Sequence, residues 1–596
     1  ATQERSGNSP TPDVTSLLAG LDTEQRAAAT APGPLLIIAG PGTGKTRTLT
    51  HRLAHLVGEQ GVPPERCLAV TFTRRACEEL AERLEALVPE AGRMTVITFH
   101  GLGWQIIREQ HGALGLGADV RVVDEAERLG LLRDVLDCSA SAARRLGVEL
   151  SGRKRAGDPD ETLRRYDEAL RGRGLVDFDD LVVLPVQLFD QSPEVAATYR
   201  ERWGHIAVDE YQDVDELQYR LLRHLAPTDG DLCAIGDPDQ AIYGFRGGDV
   251  GFFLRFTTDF PAARTVLLTH NYRSSPVIVA GALQAIEPDS LVPGRTLDAC
   301  ASDEASTRIV VAQATTERSE AEFVVHTIDR LLGGSSHFSI DSGRADGSVH
   351  AALGFADFAV LARTDAQLAP LVEALDRAGM PFQKRSHDRL ADRPGVQAVV
   401  VRLRHEDGQH PPGDVTPLPI LLRQVTAEIA KAPEGDTSAT LGEIDAAVDV
   451  LSPLAERCGS DLDRFLAELA LGAEVDTLDP RADHVSLLTL HAAKGLEFAV
   501  VFIVGCEDGL LPLRWGGDPT GDTAEERRLF FVGMTRARSR LILCSARRRL
   551  WHGTVAETTP SPFLRAIDRA LLERLAIEAP PRPRPRQPTG DQLQLL

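Results

Sequence analysis

The stretch PLLIIAGPGTGKTRTLTHRL, residues 34–53, sets Gly40, Gly42 and Gly44 immediately before Lys45 and Thr46. An apolar run precedes them and helix-forming residues follow, which reads as strand, turn and helix N-terminus. That order makes an anion cradle, because the first N–H groups of a helix lack intrahelical partners and point outward. Phosphate fits such a cradle. The glycines, with Thr43 between them, let the backbone wrap a triphosphate, Lys45 reaches the β- and γ-phosphates, and the Thr46 hydroxyl ligates Mg²⁺. Ala39 holds the first position of the P-loop pattern, so its looser Ala/Gly form is the one matched. Lysine is scarce: five lysines (45, 154, 384, 431 and 494) stand among 65 basic residues. At Lys45 a compact ammonium on a flexible stem fits between phosphates where a planar guanidinium does not.

Two further stretches end apolar runs in chemistry-bearing side chains. In HIAVDEYQD, residues 205–213, a β-rich run delivers Asp209, placed to hold Mg²⁺ through its waters, and Glu210, placed to polarise an attacking water. In CAIGDPDQAIYGFRGGD, residues 233–249, Gln240 is a candidate γ-phosphate sensor, while Tyr243 and Phe245 offer flat faces for stacking bases. The plainer readings are an acidic turn and a hairpin with core aromatics; the P-loop upstream weighs against both.

At 596 residues the chain is too long for one core, and length alone suggests roughly three to five domains. No apolar run approaches the roughly 20 residues of a membrane span, and the polar N-terminus lacks a signal-peptide pattern, so a cytoplasmic protein without membrane partners is expected. Eight scattered cysteines without a C-x-x-C pair indicate neither a zinc site nor a disulfide framework. A net charge of −22 argues against nucleic acid as a partner, but a narrow basic or aromatic channel can hold one strand inside an acidic protein. The chain opens on Ala rather than Met, as a processed chain or one cut from something longer would.

The order and wording of these blocks resemble the UvrD/PcrA/Rep family of superfamily 1 DNA helicases from about residue 15 to 570. That resemblance implies ATP and Mg²⁺ as cofactors, single-stranded DNA and single-/double-strand junctions as partners, and a bacterial cytoplasmic setting. LDTEQRAA resembles the adenine-reading Q motif, making Gln25 the base reader, and Arg47 matches a residue packing on adenine. AVTFTRRACEEL and TVITFHGLGW resemble motifs Ia and Ib, implying that Thr71, Phe72, Arg74 and His100 touch single-stranded DNA. A strand end carrying Phe72 beside Arg74 and Arg75 suits base stacking with phosphate pairing. VLLTHNYRSS resembles motif IV, with Tyr272 on the adenine and Arg273 on the γ-phosphate. HAAKGLEF resembles motif V, with His491 and Lys494 facing DNA and Glu497 contacting the ribose. EERRLFFVGMTRARSRLIL resembles motif VI, where Arg536 completes the γ-phosphate clamp. Arg273 and Arg536 lie far from the P-loop in sequence, as expected if they sit on a second domain that closes onto ATP.

The expected fold is α/β: two RecA-like P-loop NTPase domains, parallel sheets flanked by helices, with helical inserts. Domain 1A spans 15–104 and 182–268 around a helical insert 1B at 105–181, and 2A spans 269–390 and 481–570 around a reduced 2B-like insert at 391–480. RIVVAQA (308–314) and FAVLART (358–364) read as strands of 2A, and 333–350 as a polar loop. A flexible leader (1–14) and tail (571–596) complete the chain. The 2B segment is short and lacks the family's duplex-gripping hairpin. Two functions follow: a 3′-to-5′ DNA translocase and helicase in repair or replication, the polarity implied by the resemblance, or a non-unwinding DNA-dependent ATPase that serves as motor subunit or DNA clamp of a larger repair complex. At the C-terminus a Pro/Arg-rich spacer ends in QLQLL, residues 592–596. It resembles the peptide by which bacterial DNA enzymes bind the sliding clamp, with Gln592 as polar anchor and Leu593, Leu595 and Leu596 entering apolar pockets; because five-residue motifs arise often by chance, an ordinary disordered tail is the favoured reading.

Overall fold

The computed structural model describes residues 17–158, 160–300, 307–333, 353–385, 393–407, 416–429, 440–471, 483–514, 523–551 and 554–577. The chain divides into two compact units: Ala1–Arg273 with Ser290–Ala301 and Arg385–Asp479, and Ser274–Asp289 with Ser302–Lys384 and Pro480–Leu596.

The first unit is built on six strands in the order Thr95–Thr98, Cys67–Thr71, His205–Val208, Asp231–Gly236, Leu35–Ala39 and Arg264–Leu268. Every neighbouring pair is parallel. A parallel sheet covered on both faces favours apolar residues along its strands, as in LLIIA and CLAVT, while His205, Asp231 and Arg264 stand at strand starts. Alternation then sorts the apolar residues. Leu36, Leu68, Val70, Ile206 and Val208 join Phe99 and Leu102 in one core, while Leu35, Ile37, Cys67, Ala69 and Ile235 join Leu49 and Leu53 in the other.

Two helical segments group with this unit, the first inserted within its own chain and the second lying in sequence between Lys384 and Pro480 of the second unit. The first comprises Glu125–Leu136, Ala140–Ala156 and Glu161–Arg171 with a short parallel pair, Arg121–Val122 against Leu175–Val176. Buried Lys154 meets Asp167, Asp177 and Asp180 there at 2.9, 2.9 and 2.8 Å. The second comprises Pro394–Asp407, Leu418–Ile429, Leu441–Cys458 and Leu462–Leu471 around a core that includes Val399, Leu422, Leu451 and Phe465.

The second unit carries a sheet in the order Phe382–Arg385, Val485–Thr489, Phe358–Ala362, Phe498–Ile503, Ala537–Trp551, Ile309–Thr316 and Leu572–Ala576, with Thr554–Glu557 pairing antiparallel on Ala537–Trp551. The expected strands at 308–314 and 358–364 both fall in it. Residues 572–576, expected as the start of a flexible tail, instead form a parallel strand on Ile309–Gln313. Burial of Leu572 in the unit's core and the free edge of the neighbouring strand account for the difference. The expected leader at 1–14, nearly all of the expected polar loop at 333–350, and the clamp-type peptide with Gln592, Leu593, Leu595 and Leu596 lie outside the described residues. No helix among the described residues is long and apolar enough to cross a membrane.

Candidate functional site

In the first unit the candidate residues follow the carboxyl ends of the parallel strands, where open α/β sheets bind ligands. Gly40 follows Leu35–Ala39, Phe72 follows Cys67–Thr71, His100 follows Thr95–Thr98, Asp209 follows His205–Val208, and Asp237 follows Asp231–Gly236. One edge of one sheet thus gathers motifs scattered between Gly40 and Asp237 of the chain.

Helix Lys45–Gly58 begins at Gly44, whose φ of 80° is a left-handed conformation and which supplies no side-chain cap. Helices Thr23–Thr30, Arg74–Leu87, Phe99–Glu109 and Glu216–Leu225 are each capped by an Asp or Thr side chain. An uncapped N-terminus preceded by glycines fits a polyphosphate. Gly42 has φ 71°, and a Cβ there would stand 2.6 Å from Asn271 Nδ2 and 2.7 Å from Arg273 Cβ. A Cβ at Gly40 would meet Leu297 Cδ2 at 2.7 Å and Arg295 Nη2 at 2.8 Å, so this glycine makes room for a neighbouring segment as well as for a ligand. Buried Thr43 turns its hydroxyl onto Gly40 O at 2.8 Å. Gln25 closes a capping box with Asp22 and donates its amide to Thr43 O at 3.0 Å, joining the expected base reader to the phosphate turn. Exposed Arg47 donates to Gly20 O at 2.9 Å.

Lys45 Nζ stands 3.7 Å from Glu210 Oε1. Glu210 has φ 52°, a left-handed conformation uncommon outside glycine, and such strain concentrates at functional sites. Its carboxylate accepts the Gln212 amide at 2.5 Å, and Gln212 Oε1 in turn accepts the backbone N–H of Asp237 at 2.9 Å. Gln240 donates its amide to Asp237 Oδ2 at 2.6 Å. Asp209 is buried beside Glu210, whose N–H it accepts at 2.9 Å. Gln212 and Asp237 therefore tie the candidate base to the candidate γ-phosphate sensor.

The boundary between the two units falls directly after Arg273. Residues up to Arg273 fall in the first unit, because the Tyr272 N–H donates to Gly42 O at 2.8 Å and the Asn271 amide donates to Pro41 O at 2.6 Å. Tyr272 is half exposed, with its hydroxyl on Asp22 Oδ2 at 2.5 Å.

On the neighbouring strand ends, buried Thr71 gives its hydroxyl to Thr73 O at 3.0 Å, so its side chain shapes the turn rather than facing outward. Phe72 packs edge-on against Phe99, with ring centroids 5.5 Å apart, and His100 stacks on Phe178 at 4.1 Å. Arg74 is ion-paired with Glu468 of the second insert at 3.3 Å. Both line a cleft with Trp104, Gln105 and Arg108. Tyr243 and Phe245 lie 6.2 Å apart, Phe245 being 64 % exposed.

In the second unit Arg536 is 2 % exposed. Its guanidinium donates to Val532 O at 2.9 Å, Leu496 O at 3.2 Å and Thr535 Oγ1 at 3.2 Å. His491 and Lys494 are half-buried in the turn after Val485–Thr489, and exposed Glu497 stands 3.9 Å from Arg538. Asn271, Gln212, Trp104, Arg108 and Glu468 were not singled out from the sequence. Trp104 and Arg108, one helical turn apart, carried a readable signal; the others depend on partners distant in the chain.

A glycine-rich cradle and two carboxylates at the carboxyl edge of a parallel sheet define a nucleotide-binding α/β protein of the P-loop class. Residues 21–149 and 149–261 match the UvrD/REP helicase N-terminal domain, and residues 266–410 and 422–548 match the UvrD-like helicase C-terminal domain. The chain belongs to the UvrD-like helicase family. It is 30 % identical over 665 residues to the ATP-dependent DNA helicase PcrA of Leuconostoc citreum, covering 94 % of this chain and 86 % of that protein. It is 29 % identical over 663 residues to PcrA of Bacillus subtilis (94 % and 87 % covered) and 30 % identical to PcrA of Staphylococcus aureus (94 % and 88 % covered).

Proposed function

We propose that this chain is an ATP-dependent DNA helicase that moves 3′ to 5′ along single-stranded DNA and serves bacterial DNA repair or replication in the cytoplasm. The observation that carries the reading is the uncapped cradle at Gly42–Thr46 facing strained Glu210, within a chain whose family match spans both halves. Lys45 binds the β- and γ-phosphates, Gln25, Arg47 and Tyr272 hold the base, and Glu497 reads the ribose. Glu210 draws a proton from the attacking water, and its left-handed backbone and the Gln212 amide hold the carboxylate at one angle. Thr46 and Asp209 would hold Mg²⁺, which supplies charge neutralisation between the phosphates when bound. Gln240 and Arg273 sense the γ-phosphate, and Arg536 is the second unit's candidate γ-phosphate group.

Single-stranded DNA runs over Phe72, Arg74 and His100 and past Tyr243 and Phe245, with His491 and Lys494 contributing from the second unit; base stacking supplies roughly 1–3 kcal/mol per base. The units correspond to domains 1A and 2A, with 105–181 as 1B and 391–480 as a reduced 2B. The C-terminal QLQLL peptide is a candidate clamp-docking peptide beside the plainer reading as an ordinary tail: no binding of a labelled 585–596 peptide to the clamp, or binding unaffected by Leu595→Ala and Leu596→Ala, would refute docking. The relatives' names favour unwinding over a purely accessory ATPase. Purified protein with a 3′-tailed and a 5′-tailed duplex tests the reading: ATP-dependent unwinding of the 3′-tailed substrate supports it, and preference for the 5′-tailed one refutes it.

A further inference from the structure

Residues Ser290–Ala301 return to the first unit between two stretches of the second, and they bind the acidic turn that carries Gln240. Ser290 Oγ and the Leu291 N–H donate to Asp239 at 2.7 and 2.6 Å. Arg295 then closes a bidentate pair on Asp237, Nη1 to Oδ1 at 2.7 Å and Nη2 to Oδ2 at 2.7 Å, while Nη1 also reaches Asp239 Oδ2 at 2.6 Å. Both carboxylates are fully buried, and the Arg295 side chain is 7 % exposed. A charge buried this deeply persists only when paired, and the paired planar groups fix each other's orientation.

Asp237 is the residue on which the other two groups depend. Its side chain takes the Gln240 amide, and its N–H goes to Gln212, which holds Glu210. The same strap meets the P-loop, since Leu297 and Arg295 fill the space a Gly40 side chain would need. Its end pairs with His270–Asn271, whose Asn271 amide bonds Pro41 O.

We propose that Arg295 is a positioning residue for ATP hydrolysis: by clamping Asp237 it fixes the angle of the Gln240 carboxamide and, through Gln212, that of the Glu210 carboxylate. This rests on the roles assigned above to Gln240 and Glu210. Arg295 touches neither nucleotide nor water in this scheme. Its removal misaligns groups that do.

The test uses the full chain and DNA-stimulated ATPase kinetics. Arg295→Lys keeps a positive charge beside the two carboxylates but loses the bidentate geometry. It is expected to lower kcat on the order of ten- to a hundredfold, as misplacement of catalytic groups does, with the affinity for a non-hydrolysable ATP analogue unchanged. In a Gln240→Ala background the same change should lower kcat less, because one of the two groups it positions is gone and only the route through Gln212 to Glu210 remains. Arg295→Met is the second variant, with analogue affinity as its check of folding. Full kcat in Arg295→Lys, equal fold-losses in both backgrounds, or loss of analogue affinity in both variants would overturn the proposal. If Gln240→Ala alone leaves kcat intact, the role of Gln240 fails instead, and the proposal with it.

Discussion

Glu210 concentrates the chemistry of the first unit: a non-glycine residue in the left-handed region, 3.7 Å from Lys45, with its second oxygen held by Gln212. Glu210→Gln should keep nucleotide affinity and lower kcat roughly 10²- to 10⁴-fold, the usual contribution of a general base, measured by steady-state ATPase and analogue binding. Unchanged turnover would remove it from the mechanism. Arg74 is paired with Glu468 at modest exposure, so a DNA phosphate has to compete with a carboxylate. Glu468→Gln should therefore tighten single-stranded DNA by up to about fivefold, given about 0.2–1 kcal/mol for such pairs, in anisotropy titrations at fixed salt. Weaker binding would contradict that reading. Lys45, Asp209, Glu210 and Gln240 were legible in the sequence because each lies within a few residues of a strand end and a glycine or acidic turn. Arg295 and Asn271 were not, because their partners lie 58 and 230 residues away. Arg536 was legible by position in its motif, but its burial against Val532 and Leu496 carbonyls was not.

At the scale of elements, the first insert depends on a single lysine. Lys154 is buried among Asp167, Asp177 and Asp180, and removing it leaves carboxylates without a cation. Lys154→Met should destabilise the protein by about 3–5 kcal/mol, read in a chemical denaturation curve; a loss under 1 kcal/mol would contradict this. Asp180 behaves differently from Asp177. Burial and the neighbouring Asp177 charge push Asp180 up to about 7, although Lys154 opposes the shift. A carboxyl held above its unfolded value contributes stability that is present at acid pH and lost as pH rises through the folded value. Asp180→Asn should thus gain stability relative to wild type as pH rises from about 4 to about 7, and a relative loss over that window would contradict the assignment. Strands of both sheets were readable as apolar runs, since parallel sheets bury both faces. Strand Leu572–Ala576, LERLA, sets Glu573 and Arg574 side by side at an edge, without alternation or an apolar run, and carries too weak a signal in isolation.

At the scale of the whole chain, the two sheets and their inserts follow the order of motifs along the sequence, but allocation of the linking segments does not. The stretch 269–273 and the strap 290–301 join the first unit through backbone bonds to Gly42 and side-chain bonds to Asp237 and Asp239, which no local pattern announces. The central claim is directed movement along one strand driven by ATP. Streptavidin displacement from biotinylated single-stranded DNA measures that movement without requiring a duplex. Wild-type protein should release streptavidin from a 5′-biotin end in the presence of Mg²⁺ and ATP, leave a 3′-biotin end loaded, and do neither after Lys45→Ala. Displacement from the 3′ end, or displacement that survives Lys45→Ala, would contradict the account.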